Sequence, residues 1–305
     1  MSKTVVNGKV KIYTEQFGKS DDIPVLLISG AMAPSIFWND NFCQTLSSRG
    51  YYVIRFDNRD MGNSTHFPQS EPNSGIKLPY SIDDMVEDTM VVLESLSNKN
   101  AHIIGHSLGG SIAQLFAISY PEKICSLTVI SSPILAKGKI KYIETDPAIT
   151  EKLWKVLMSN PMHRNYEKGA PEFLKIWRYL NGDWKLDADM ANGYTRAIYE
   201  TEIIEPAWNH TNIQNGIRDI IGELEKLDKP LLFIHGEKDY LPSNPVNTKL
   251  LSNYLQSADV FILENGGHMF FNKQIWEILI ERIYKHIDKS HNNANSADAK
   301  NRAAD

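Results

Sequence analysis

The chain has 305 residues, a formal net charge of −5, 42% hydrophobic and 23% charged residues. That length admits one α/β domain with an insertion or two modest domains, and the composition is ordinary for a soluble globular protein. The acidic balance supplies no general pull on nucleic acid or anionic lipid, and no basic run interleaves with aromatics, so neither partner class is expected.

Residues 1–8 lack the apolar centre of a secretory signal and read as mature sequence, and no stretch is long and apolar enough to span a bilayer. The two cysteines, Cys43 and Cys125, stand at no C-x-x-C or Cys/His spacing and read as buried free thiols. These features point to a cytoplasmic protein.

Residues 4–16 alternate apolar and polar around Asn7-Gly8, which predicts an antiparallel hairpin at a sheet edge. Residues 24–29 are a continuous apolar run, the mark of a strand buried on both faces. The loop Gly30-Ala31-Met32-Ala33-Pro34 follows, then a helix over 37–46. The next strand, 51–56, ends in a polar turn at 57–64 and a proline-bearing loop over 65–80. Ser81 with Asp84 three residues on predicts a capped helix running to about Leu96. Strand 101–105 comes next, then a helix with Ile112, Leu115, Phe116 and Ile118 on its apolar side, then strand 124–130.

That alternation means parallel strands joined by crossover helices. It breaks at 134–224, a helical and aromatic block with Trp154, Phe173, Trp177, Tyr194 and Trp208 and no strand signal. The sheet resumes at 230–236 and ends with strand 259–263 and a closing helix over 275–287. From Ser290 the chain is polar and small, which predicts a disordered tail. The expected organisation is a core from 1–133 and 225–289, a helical cap from 134–224 between the sixth and seventh strands, and a tail at 290–305. The alternative for 134–224 is a further helical layer; the absence of a strand in so long a block favours a cap.

The chemistry centres on Gly105-His106-Ser107-Leu108-Gly109. A G-x-S-x-G between an apolar strand and an amphipathic helix is a nucleophile elbow, a corner too tight for side chains at its flanks. Ser107 is then exposed over the sheet edge, and Leu108 N–H, at a helix start, faces any negative charge that develops there. A serine hydroxyl needs a base, and the base an orienting carboxylate, in the chain order Ser, acid, His. Asp239, three residues past the glycine that ends strand 230–236, fits the acid, with Glu237 as its neighbour and competitor. Of nine histidines, only His268 comes late, after a strand and on a Gly266-Gly267 loop. His102, His106 and His235 lie in or beside strands and read as structural or supporting groups, and His210, in the cap, reads as a surface residue, the alternative being an approach to substrate. The second oxyanion donor is expected from the loop after strand 24–29, at Ala31 N–H. Asp57 and Arg59 read as a loop-stabilising charge pair. No H-E-x-x-H, ligand cluster, G-x-G-x-x-G or Walker A pattern occurs, so neither a metal nor a nucleotide cofactor is expected.

With Asp57-x-Arg59-x-x-Gly62-x-Ser64 and the His235-Gly236-Glu237-Lys238-Asp239 and Gly266-Gly267-His268 runs, residues 8–287 resemble the α/β-hydrolase family of serine esterases. The loop from Gly30 to Ser35, Phe37-Trp38 and Arg59-Asp60-Met61-Gly62-Asn63-Ser64 are similar to the aclacinomycin methylesterase-like subgroup, which implies a small carboxylic ester as substrate. The family commonly carries His-Gly at the oxyanion loop; Ser29-Gly30 here keeps the backbone donor. The Gly-Gly-Pro-Gly loop of proline iminopeptidases is absent, and Ser107 stands where epoxide hydrolases and haloalkane dehalogenases carry Asp. The expectation is a carboxylesterase with Ser107, Asp239 and His268 as triad and Leu108 and Ala31 as oxyanion donors, each worth about 3 kcal/mol. The alternatives are C–C, amide or thioester cleavage or perhydrolysis by the same triad, or a non-catalytic binding module of the same fold.

Overall fold

A computed structural model describes residues 1–135, 141–157, 165–200, 208–216, 218–241 and 244–302. β1 (Ser2–Asn7) and β2 (Val10–Phe17) form the expected hairpin, with Gly8 at φ 59 in its turn. β3 (Ile23–Ile28) leads through a short 3-10 turn, Ser35–Phe37, to α1 (Asp40–Ser48). The helix expected from residue 37 starts later because Asn39 caps it, accepting from Phe42 N–H. β4 (Tyr51–Phe56) precedes α2 (Ile82–Leu96), whose Ser81–Asp84 capping box is fully formed. β5 (Ala101–His106), α3 (Leu108–Ser119) and β6 (Ile124–Ile130) follow.

Between β6 and the next strand lie α4 (Pro147–Leu157), α5 (Tyr166–Leu180), α6 (Ala188–Tyr199), α7 (Trp208–Asn212) and α8 (Ile221–Glu225). No strand occurs there among the described residues, only an isolated bridge from Gly182 to Gly266. β7 (Leu231–Gly236), α9 (Pro245–Leu250), β8 (Ala258–Leu263) and α10 (Lys273–Arg302) complete the chain.

The eight strands make one sheet in the order β1-β2-β4-β3-β5-β6-β7-β8. β1–β2 and β2–β4 are antiparallel, and every other pairing is parallel. The fold is therefore a doubly wound α/β sheet, with active groups expected past the strand C-termini near the order reversal at β3 and β5. Alternate residues of the apolar strands feed opposite faces: Leu26, Ile28 and Ile103 pack with Met85, Ile112 and Phe116 of α2 and α3. Val25, Leu27 and Ile104 pack with Phe42 of α1 and Ile275, Leu279 and Ile283 of α10. Phe173, Trp177 and Tyr194 of the inserted helices join that second cluster, and Ile221 and Leu224 of α8 join the first.

The tail from Ser290 is helical as far as Arg302, as a continuation of α10. Among the side chains described, which reach residue 289, the last buried apolar one of that helix is Ile287. Beyond it, the residues extend a helix already nucleated, which costs far less than starting one.

Candidate active site

Ser107 joins β5 to α3 at φ 54 and ψ −122, a conformation non-glycine residues rarely adopt. Strand and helix meet so closely that a Cβ on Gly105 would lie 2.1 Å from Gly109 O, and one on Gly109 2.2 Å from Ile28 O. Ser107 N–H donates to Ile130 O at 2.9 Å, so β6 helps hold the corner. Leu108 is the first residue of α3, where backbone N–H groups have no acceptor within the helix.

Asp239 and His268 leave the ends of β7 and β8 and meet: His268 Nδ1 donates to Asp239 Oδ2 at 2.9 Å. This bond leaves Nε2 as the ring's free basic nitrogen. Asp239 is 1% exposed. Burial alone raises its pKa, but the His268 charge and hydrogen bond, His235 and Leu241 N–H together hold the carboxyl below its ordinary value. Glu237, the competitor, instead accepts from Asn265 N–H at 3.0 Å and braces the β8 loop.

His106 and His235 support this pair. His235 Nε2 donates to Asp239 O at 3.0 Å, and its Nδ1 accepts from Thr248 Oγ1 at 2.9 Å. His106 Nε2 donates to His268 O at 2.9 Å, and the two imidazole centroids are 4.8 Å apart. Burial, then the neighbouring His268, pushes the His106 pKa down to about 3, so this ring is neutral. Phe37 stacks on its other face at 4.3 Å. The imidazole of His268 thus lies beside the residue that precedes Ser107. Among the described residues, no hydrogen bond links Ser107 Oγ to His268.

The loop carrying Ala31 packs against the elbow: a Cβ on Gly30 would lie 2.9 Å from Ser107 Cβ. Asp57, at the end of β4, fastens this loop by accepting from Ser35 N–H at 2.7 Å and from Asn63 N–H at 2.9 Å. Burial raises the Asp57 pKa against the pull of those amides. The expected Asp57–Arg59 pair is not what stabilises the loop. Arg59 pairs instead with buried Asp88 of α2, through Nε at 2.7 Å and Nη2 at 2.8 Å. His210 is no surface residue either: it is fully buried, with Nδ1 3.3 Å from Met32 N and Nε2 2.8 Å from Arg59 O.

Sequence reasoning also missed how tightly the insertion grips the β8 loop. Met269 N–H donates to Leu180 O at 2.9 Å, Asp183 N–H to Asn265 O at 2.9 Å, and Phe271 N–H to Asn181 Oδ1 at 2.7 Å. A Cβ on Gly267 would sit 2.1 Å from Leu180 O, so the Gly266-Gly267 pair serves this approach as well as a turn. Asn181, fully buried just past α5, could have been suspected only as a helix C-terminal Asn-Gly. A cavity of about 530 Å³ opens beside Tyr240, lined also by Leu135, Tyr142, Gln214 and Arg218. A second, of about 220 Å³, is walled by Phe37, Met190, Tyr194 and Phe271.

Among the described residues, no group of three or more His, Cys, Asp or Glu side chains could hold a metal ion. No helix of theirs is long and apolar enough to cross a membrane.

Residues 23–273 match the family described as the alpha/beta hydrolase fold. The chain belongs to that family. This alpha/beta hydrolase is similar to the rhodomycin D methylesterase DnrP of Streptomyces peucetius, at 27% identity over 88% of this chain and 92% of that one. Its likeness to the rhodomycin D methylesterase DauP of Streptomyces sp. (strain C5) is 26%, over 88% and 92% of the two chains. A putative carbamate hydrolase, RutD of Pseudomonas syringae pv. syringae (strain B728a), is 27% identical over 81% of this chain and 87% of its own. Among solved structures, a thermophilic esterase from Thermogutta terrifontis superposes with a TM-score of 0.70 at 18% identity, covering 95% of this chain and 99% of that one. At that identity the superposition speaks for the fold.

Proposed function

We propose that this alpha/beta hydrolase is a serine carboxylesterase acting on a small carboxylic ester, with Ser107 as nucleophile, His268 as base and Asp239 as its orienting acid. The observation that carries this reading is the 2.9 Å hydrogen bond from His268 Nδ1 to buried Asp239, beside a serine at φ 54. That bond selects the tautomer whose Nε2 can accept the Ser107 proton. Contacts between a nucleophile and its base are commonly loose in a free enzyme and tighten around substrate.

Ser107 Oγ attacks the ester carbonyl carbon as His268 Nε2 takes its proton. Leu108 N–H and Ala31 N–H receive the oxyanion. The tetrahedral intermediate collapses, the C–O bond to the alcohol breaks, and His268 protonates the departing oxygen. Water, deprotonated by His268, then attacks the acyl-enzyme, releasing the acid and restoring Ser107. The methylesterases among the relatives favour a methyl or similarly small alkoxy leaving group. Helices α4 to α7 serve as the cap that walls the substrate from water. The two free cysteines suit a cytoplasmic enzyme.

Ser107→Ala should lower hydrolysis of p-nitrophenyl esters by at least about 10⁴-fold and abolish labelling by a fluorophosphonate. Labelling of that variant at the wild-type rate would falsify the assignment. The carbamate hydrolases among the relatives motivate a second reading, carbamate cleavage by the same residues. Turnover of a matched ester and carbamate pair separates the two.

A further inference from the structure

The loop from Gly30 to Ala33 closes on itself, with Ala33 N–H donating to Gly30 O at 3.3 Å. Its third residue, Met32, stands at φ 56. A turn with positive φ only at its third position is of type II, and that position ordinarily takes glycine. For methionine, rotation of the Ala31–Met32 peptide plane into the commoner type I turn would relieve the strain. The rotation would turn Met32 N–H and Ala31 C=O to the opposite sides of the loop and change the shape of the turn. Some contact must therefore hold the strained form, because strain of this kind persists only where its surroundings over-determine it.

Among the described residues, the acceptor that captures Met32 N–H is His210 Nδ1, at 3.3 Å. The ring can serve only in one state. Its Nε2 lies 2.8 Å from Arg59 O, an acceptor, so Nε2 carries the proton and Nδ1 offers its lone pair. Arg59, Asp60 and His66 face the ring; burial is the largest influence and lowers its pKa, keeping it neutral.

The ring is itself held from several sides. Its neighbour Asn209 donates to Asp60 Oδ2 at 2.8 Å and accepts from Ser70 N–H at 2.9 Å. Asn212 donates to Ser70 O at 2.8 Å. Asp60 also accepts from Tyr80 Oη at 2.5 Å, and Arg59 is clamped by Asp88. α7 is thus bolted to the polar turn after β4, with its imidazole directed at the loop beside Ser107.

We propose that His210 is a positioning residue of the oxyanion loop: by holding Met32 N–H it fixes the strained Ala31–Met32 peptide, and so keeps in one shape the Gly30–Ala33 turn that presents Ala31 N–H. The role rests on the ester-hydrolase reading above. It assigns the insertion a task in the chemical step as well as in enclosing substrate, because α7 carries part of the catalytic geometry.

Two substitutions divide the ring's functions. His210→Asn keeps an acceptor near the Nδ1 position, whereas His210→Gln sets its amide near Nε2 and leaves Met32 N–H without a partner. In the Gln variant kcat for a p-nitrophenyl ester should fall about tenfold, with KM changed less than about twofold, as for a loss felt only in the transition state. Affinity for a trifluoromethyl ketone, which mimics the tetrahedral intermediate, should fall in proportion. The Asn variant should recover most of both. Amide exchange at Met32 should be about tenfold faster in the Gln than in the Asn variant, by the opening of that one hydrogen bond. Equal kcat, equal ketone affinity and equal Met32 exchange in the two variants would overturn the proposal. So would a Gln variant with wild-type kcat. Both keep a polar group of similar size in the pocket, so the comparison survives even if His210→Ala does not fold. The exchange measurement needs no turnover: were the wild type inert toward esters, the ester reading would fail while the His210–Met32 bond was still put to the test.

Discussion

The elbow and the loop from Gly30 to Ser35 meet at Ser107, yet they are held by different means. The elbow is fixed by backbone meeting backbone, where Gly105 brings β5 onto α3 and Gly109 brings α3 onto the end of β3 at distances no side chain tolerates. The loop from Gly30 to Ser35 is fixed by side chains brought from afar: Asp57 from the end of β4, and His210 from 178 residues beyond Met32. The first device is backbone packed on backbone. The second is completed only when the insertion docks and His210 accepts from Met32 N–H.

The contrast can be broken at either end. Gly109→Ala should be the more damaging change, since its Cβ would lie 2.2 Å from Ile28 O and 2.6 Å from Ser29 O, both backbone atoms. A loss above about 3 kcal/mol in urea denaturation is expected, as for strained overpacking; a stable, active variant would show that the corner is looser than its geometry. Asp57→Ala leaves Ser35 N–H and Asn63 N–H without their acceptor, at about 1–3 kcal/mol for each group that stays buried. Its unfolding free energy should fall less than that of Gly109→Ala, while kcat drops because the loop is loosened. Asp57→Asn, which keeps a carbonyl acceptor, should be milder on both counts.

A further test uses pH in place of substitution. Folded His106 stays neutral down to about 3, and His286, lowered mainly by burial, down to about 4, against an ordinary value of 6.5. The unfolded chain therefore binds more protons below 6.5 than the folded one. Stability is whole above that pH and should decline as pH falls, by about 1.4 kcal/mol per pH unit for each such histidine. The decline from His286 should end near 4 and that from His106 near 3. Asp57 works in the opposite sense, since its raised pKa makes the folded chain the better proton binder at acid pH. Denaturant melts at pH 7.5 and 5 check the sign; equal stability at both would mean that these rings are hydrated.

The strands, their parallel order and the Ser107 corner were legible because each rests on neighbours in the chain. Continuous apolar runs mark β3, β5 and β7, and two glycines four residues apart mark the elbow. Asp239 and His268 were legible by their places after strand ends, and the sheet brings them into one hydrogen bond. Arg59 has Asp57 and Asp60 beside it in sequence and so points to a local pair, whereas Asp88, which pairs with it, lies beyond the 65–80 loop on α2. His210 reads as a surface group in the sequence because the short α7 has no apolar stripe to announce burial; its burial comes from polar bonds to the turn at 57–70.

Periodicity, glycine spacing and strand-end chemistry sufficed to write down the architecture and to single out Ser107, Asp239 and His268 as candidates, since those signals are consequences of local sterics and of which faces are apolar. The grip of Leu180 and Asn181 on the His268 loop, and of His210 on Met32, appeared only in three dimensions. A hydrogen bond between residues so far apart carries no periodic signature, and it exists only once the helices after β6 have packed against the sheet.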